Sequence, residues 1–222
     1  MSEKIVLSWS GGKDSVLALH ALSGDPELAV VALLTTVSEE YQRISMHGVR
    51  RELLTAQARA LAIPLEEILL PKDCSDEEYG HRMEAVLRPH VESGIRMVAF
   101  GDLFLEDVRR YRQERLALIG MTGVFPLWGK DTTELAYTFL DLGFQAIVVC
   151  VDTQALDPAF SGRSYDREFL AALPPTVDPC GENGEFHTFV YDGPIFHESI
   201  PLTRGQQVLR EDRFAYCDLV PG

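Results

Sequence analysis

Apolar residues in the first two thirds of this chain form short continuous runs, alternating with stretches where they recur every three or four positions. The first pattern marks strands covered on both faces; the second marks helices packed on one side. Continuous runs at residues 4–9, 28–36, 65–70, 97–100 and 123–125 predict strands. Periodic stretches at 15–22, 49–62, 76–92 and 108–119 predict helices, the second stopped by Pro64 and the third opened by Ser75 as N-cap. Such alternation implies an α/β fold with a parallel sheet, helices on both faces and right-handed connections. The rhythm changes after Pro126. A helix at 132–142 and a strand at 146–151 follow, then a polar loop with Pro158, Gly162 and the Leu173-Pro174-Pro175 stop, and finally strands within 186–191 and 207–216. The boundary falls near residue 126, giving domains 1–125 and 126–222, the second a smaller α+β unit.

Parallel sheets bind ligands beyond the carboxyl ends of their strands. Segments 10–15, 35–37, 71–73 and 101–102 all follow strands and should line one rim, which brings Thr35 and Gly101 towards the first turn. That turn is Ser10-Gly11-Gly12-Lys13-Asp14-Ser15. Its glycines admit close backbone approach, and the helix start offers N–H groups and a favourable dipole to phosphate oxygens. Lys13 adds a mobile cation, Ser10 and Ser15 add hydroxyls, and the Asp14 carboxylate suits a magnesium ion beside phosphates. A plain serine-capped turn is the bland alternative. The commoner phosphate loop is excluded, because the position five before Gly12 is Leu7 and Asp14 stands where a hydroxyl is required.

The chain has 222 residues, 46% hydrophobic and 24% charged, the composition of an ordinary globular protein. A net charge of −14 argues against nucleic acid as a partner. Four scattered cysteines (Cys74, Cys150, Cys180 and Cys217) make no Cys-x-x-Cys pair. With no apolar run of membrane length or signal-peptide pattern, the expectation is a cytoplasmic protein with no membrane partner.

A second dense cluster lies at Asp178-Pro179-Cys180-Gly181-Glu182-Asn183-Gly184-Glu185-Phe186-His187-Thr188. Two carboxylates and a histidine within six residues could bind ammonium and relay its protons, although loops of this composition are commonly solvated turns. Arg109, Arg110, Arg112 and Arg115 crowd one helix among acidic neighbours. They read either as a solvated face or, for Arg112 and Arg115, as a grip on a carboxylate or phosphate. His47 reads equally as a packing residue or a nucleotide contact. Trp128 reads as packing at the domain junction, and Cys180 as structural.

These motifs carry a resemblance. Ser-Gly-Gly-Lys-Asp-Ser after an N-terminal strand is similar to the loop of the N-type ATP pyrophosphatases, which implies a HUP-type, Rossmann-like fold and cleavage between the α- and β-phosphates of ATP. The run Gly181-Glu182-Asn183-Gly184-Glu185-Phe186-His187-Thr188, followed by Asp192-Gly193-Pro194, resembles the signature of the diphthine–ammonia ligases. So do Met46-His47-Gly48-Val49 before Gln57-Ala58-Arg59, and Pro126-Leu127-Trp128 with Lys130-Asp131. The resemblance implies ATP and Mg²⁺ as cofactors, with Ser10, Gly11, Gly12, Lys13, Asp14, Ser15, Thr35, His47 and Gly101 at the nucleotide. It further implies ammonium held near Glu182, Glu185 and His187, and an acceptor carboxylate met by Arg112, Arg115, Gly181, Asn183, Gly184 and Thr188. The acceptor would be diphthine on elongation factor 2, or a small acid such as a corrinoid precursor. Two departures stand out: His187 replaces a glutamate of the signature, and residues 102–112 are longer than their counterpart. A tRNA-modifying relative and a non-catalytic nucleotide-binding module are the rival readings. A homodimer through exposed strands of the second domain completes the expectations.

Overall fold

A computed structural model describes residues 2–45 and 47–222; Met46, part of one resemblance block, lies outside the described residues. The first layer is a six-stranded sheet. Its parallel strands run in the order β4 (Leu65–Leu70), β2 (Leu28–Ser38), β1 (Glu3–Ser8), β5 (Met97–Ala99), β6 (Thr122–Val124). The all-parallel expectation needs one correction. Arg43–Ile44 forms a two-residue strand, β3, antiparallel to the end of β2, too short to leave an apolar period in the sequence.

Helices cover both faces because β1 is apolar on both. Ile5 and Leu7 join one buried cluster with α1 (Lys13–Ser23) and α2 (Arg51–Leu61). Val6 joins the other, with Leu87 of α3 (Asp76–Glu92) and Leu116 of α4 (Glu106–Ala117). All three β1 residues are fully buried, each contributing about 1.5–3 kcal/mol of hydrophobic stabilisation. Ser75 caps α3 as expected, its side chain accepting the Glu78 N–H. Helix α1 starts two residues before its apolar period does, since Gly12, in extended conformation, is its N-cap.

After α5 (Thr132–Asp141) the chain builds a four-stranded antiparallel sheet. Its order is β8 (Phe186–Asp192), β7 (Gln145–Asp152), β10 (Phe214–Pro221), β9 (Leu202–Arg210). The strands with turns expected within 207–216 are the end of β9, a turn and the start of β10; the two strands extend beyond that span and pair from Phe214↔Arg210 to Pro221↔Leu202. A short helix, α6 (Arg167–Ala172), also escaped the pattern, opened by the Asp166 side chain accepting from Phe169 N–H.

The two sheets share one core. Leu17 and Leu54 from the first layer and Val148, Phe186 and Val190 from the second belong to a single apolar cluster, and α1 touches β8 across it. At its centre lies a buried amide. Gln57 is fully buried. Its Oε1 accepts from the Trp9 indole at 3.0 Å, while Nε2 donates to the carbonyls of Gly11 at 2.9 Å and Val190 at 2.6 Å. One side chain therefore ties the turn after β1 to β8. Replacing Gln57 with leucine strips these buried groups of a partner, and unfolding in urea should show a loss of about 2–4 kcal/mol with an unchanged slope.

Candidate functional site

The chain leaves β1 into a turn that only glycine accommodates. Gly11 has φ +76°, and a Cβ there would lie 2.6 Å from Gln57 Oε1. The Gly11 carbonyl also accepts from the Val190 N–H at 3.0 Å, so the turn is stitched to β8 twice. The N–H groups expected to face phosphate already have partners. Gly12 N–H donates to Ser10 Oγ at 3.3 Å and Lys13 N–H to Thr188 Oγ1 at 3.1 Å. Ser15 Oγ donates to the Gly12 carbonyl at 2.9 Å. Two hydroxyl oxygens thus sit where an anion's oxygens would accept. On the far side, Gly101 lies so close that a Cβ would meet the Asp14 carbonyl carbon at 2.8 Å. Gly101 therefore acts by permitting contact with α1; the side of the small cavity described below is formed by its neighbour Phe100.

Lys13 is 2% exposed. Its ammonium donates to both oxygens of Asp14, at 2.9 and 2.8 Å, and lies 5.7 Å from the centre of the Phe186 ring. Burial works against its charge, but Asp14, with a smaller contribution from Glu182, outweighs that and holds the pKa above the ordinary lysine value. Asp14, at the first turn of α1, also feels the favourable end of the helix dipole.

The 178–185 loop folds around its own carboxylates. Asp178 Oδ1 accepts from Cys180 N–H at 2.9 Å and Glu182 N–H at 3.3 Å, and Thr132 Oγ1 donates to its Oδ2 at 2.6 Å. Buried Glu185 accepts from Asp178 N–H, Asn183 N–H and Asn183 Nδ2, each at 3.0 Å. Gly181 and Gly184 make the turns, each N–H donating to the carbonyl three residues back. Glu185 and Asn183 therefore brace the loop, bonded to one another and to the Asp178 backbone. Glu182 is different. One oxygen accepts the Leu103 N–H at 2.8 Å; burial, partly offset by that bond, pushes its pKa up to about 7, with nearby Asp14 adding to the rise. A carboxylate poised near neutrality can hold a small cation and take its proton. Cys180 is buried, donates to the Thr132 carbonyl, and is pushed up to about 12, which makes it an inert structural thiol.

Beyond the strand ends opens a cavity of about 310 Å³, lined by residues that include Ser10, Thr35, His47, Arg112, Arg115 and His187. The Thr35 hydroxyl is buried without a hydrogen-bond partner among the described residues. His47 and His187 stack with ring centres 4.4 Å apart. Burial lowers both: His187, further opposed by Lys13 and partly offset by Glu185, to about 4, and His47, further opposed by His187, well below the usual range. Arg112 is committed, its Nε 2.7 Å from Asp102 and its guanidinium 4.4 Å over the Phe100 ring. Arg115 makes no ion pair among the described residues and lies over Gly80, whose missing side chain leaves it room. Of the four rim segments, 71–73 departs from expectation: Lys72 and Asp73 line a different, larger cavity, because β4 carries that connection to the outer edge of the sheet. Trp128 packs under Arg109, 4.5 Å from its guanidinium.

Gln57, Asp178 and Asp102 belong to this site and were not singled out in the sequence. Gln57 could have been found as the polar residue on a stripe otherwise made of Leu53, Leu54, Ala58 and Leu61. Asp178, ahead of Pro179, has the form of a turn-initiating aspartate. Asp102 lies in the rim segment 101–102, but residue type alone does not mark it as the partner of Arg112. For a divalent ion, the described residues hold no group of three or more ligating side chains. Asp14, one hard carboxylate beside the cradle, fits Mg²⁺, which commonly takes one or two protein oxygens and the rest from phosphates and water.

With this geometry established, comparison with known proteins is specific. The family models described as diphthamide synthase N-terminal domain and C-terminal domain match residues 3–121 and 131–219. A protein named diphthine–ammonia ligase from Homo sapiens is 24% identical, the alignment covering 93% of this chain and 85% of that protein. Its namesake from Danio rerio is 27% identical over 91% and 88%. The namesake from Schizosaccharomyces pombe is 27% identical over 87% of this chain but only 35% of its own length.

The stacked histidines make stability pH-dependent. Both bind protons less readily folded than unfolded, where the pKa is about 6.5. The unfolded state therefore gains protons first as pH falls, and stability drops between about pH 6.5 and 4. In thermal melts, the fall in Tm from pH 7.5 to pH 5 should be smaller for His187→Gln than for the wild type.

Proposed function

The chain belongs to the diphthamide synthase family, and from that premise we propose that it is an ATP-dependent carboxylate–ammonia ligase acting on diphthine of elongation factor 2. The observation that carries the reading is Lys13, buried yet charged, at a glycine turn on the start of α1 and beside Glu182. ATP lies with its phosphates at residues 10–15 and its nucleoside in the cavity of about 310 Å³, where the unpartnered Thr35 hydroxyl and His47 meet it. Asp14 would hold Mg²⁺, which would neutralise phosphate charge.

An oxygen of the acceptor carboxylate attacks the α-phosphorus. The bond from that phosphorus to the bridging oxygen breaks, giving an acyl-adenylate and pyrophosphate. Lys13 and the N–H groups of Gly12 and Lys13 stabilise charge on the leaving group once Ser10 and Thr188 yield them. Of the two arginines lining the cavity, Arg115, which has no ion-pair partner among the described residues, holds the acceptor, while Arg112 stays with Asp102 and braces the wall. Ammonium sits against Glu182, gives it one proton, and attacks as ammonia. The acyl carbon releases AMP, and the second proton passes from the new amide nitrogen to the phosphate of the departing AMP. Glu185, Asn183, Gly181 and Gly184 shape the loop that presents Glu182, while neutral His187 and His47 add no charge to repel the ammonium.

Lys13→Ala should abolish ATP–pyrophosphate exchange in the presence of diphthine-bearing elongation factor 2 while retaining a cooperative melt. Retained exchange would remove the loop from the chemistry. Glu182→Gln should lower kcat for amide formation by about 10²–10⁴ with the KM for ATP unchanged. The rate of the wild type should rise with pH through about 7, as Glu182 loses its proton to become the base, and the variant should lose that limb.

A further inference from the structure

A second cavity, of about 700 Å³, opens between the two sheets. Tyr41 from the β2–β3 loop, Arg43 of β3 and Lys72 just after β4 form one wall; Val208, Arg210 and Tyr216 of the β9–β10 hairpin form the other. An ion triad ties the walls together. Asp218 of β10 binds Arg50 Nη2 at 2.6 Å and Arg43 Nη1 at 2.9 Å. The hydrogen bonds from Arg50 and Arg43 hold its pKa below the ordinary aspartate value, so the triad stays ionised at neutral pH.

Three observations give this cleft a role. Ile44 and Ser45 line both cavities, so the larger space adjoins the smaller one across a single stretch of chain. At about 310 Å³ the smaller cavity is at the low end for a small-molecule site, enough for one substrate of a reaction that must bring two together. Finally, Tyr41, Val208 and Leu209, at 51%, 40% and 55% exposure, leave large apolar side chains at the cleft without a covering element. A free small acid would not use such a rim. A protein surface would.

We propose that the cleft between β3 and the β9–β10 hairpin is the acceptor subsite, receiving a surface loop of a protein whose side-chain carboxylate is passed over Ile44 and Ser45 to the nucleotide. The apolar rim seats the flanking backbone, and Arg210, over the Tyr41 ring at 5.8 Å, stands at the mouth. This placement rests on the ligase reading, and it assigns the acceptor's body to the C-terminal hairpin while the reaction stays with the first sheet.

The test is steady-state kinetics with ATP and diphthine-bearing elongation factor 2 as the two varied substrates. Val208→Trp fills the cleft from an exposed strand position; Arg210→Glu reverses charge at the mouth without adding bulk, and serves if the tryptophan variant fails to fold. Thr203→Trp, on the same strand away from the cleft, is the control. Val208→Trp and Arg210→Glu should raise the KM for the acceptor protein by about tenfold or more with the KM for ATP unchanged, and Thr203→Trp should match the wild type. Acceptor KM values unchanged in the cleft variants, or raised equally by Thr203→Trp, overturn the subsite alone. A wild type without acceptor-dependent turnover overturns the ligase reading and the subsite with it.

Discussion

The architecture depends on one carboxamide. Gln57 has its oxygen and nitrogen engaged inside an apolar core, and its partners come from three places: the Trp9 indole just after β1, the glycine turn that follows, and β8 of the other sheet. A buried amide in low-dielectric surroundings is strongly disfavoured unless all its bonds are made. The turn therefore cannot move relative to β8 without exposing unpaired polar groups. This constraint keeps Thr188 against Lys13, and the loop bearing Glu182 within reach of the α1 start.

Charge is distributed by the same logic. The chain is strongly acidic overall, and carboxylates gather around Lys13, so one buried cation is kept charged by Asp14 and Glu182. A few residues along β8, His187 is kept neutral by burial and by that same cation. Opposite protonation states side by side follow from which groups each side chain faces. A carboxylate at position 187, as in the related signature, would join the acids around Lys13; the imidazole instead stacks on His47 and leaves that wall uncharged.

Much of the first sheet was legible because its strands are buried on both faces and its helices on one, so period and composition agree. The elements that escaped are those with no period to show: β3, two residues long, and α6, six. The β9–β10 hairpin was expected only as strands with turns within 207–216; β9 begins earlier, at Leu202, and its start left no mark because the strand is solvent-exposed beyond that residue and shows no alternation. At the site, the glycine turn and the 178–188 cluster announced themselves through residue type. Which carboxylate works and which braces did not. Glu182 and Glu185 are indistinguishable in sequence, and only the bonds each accepts separate them. Gln57 was hidden for the opposite reason, a polar residue whose importance comes from partners far along the chain.

The hydroxyls of Ser10 and Thr188, seated on the first N–H groups of α1, give the cradle an internal competitor for any anion. An arriving anion exchanges bonds with them, so its net gain is smaller than a count of new contacts suggests, and selectivity shifts towards ligands with enough negative charge to win that exchange. Because one of the displaced hydroxyls belongs to β8, the exchange also frees a side chain on the opposite sheet. Filling the cradle and loosening that strand's hold on the helix are a single event.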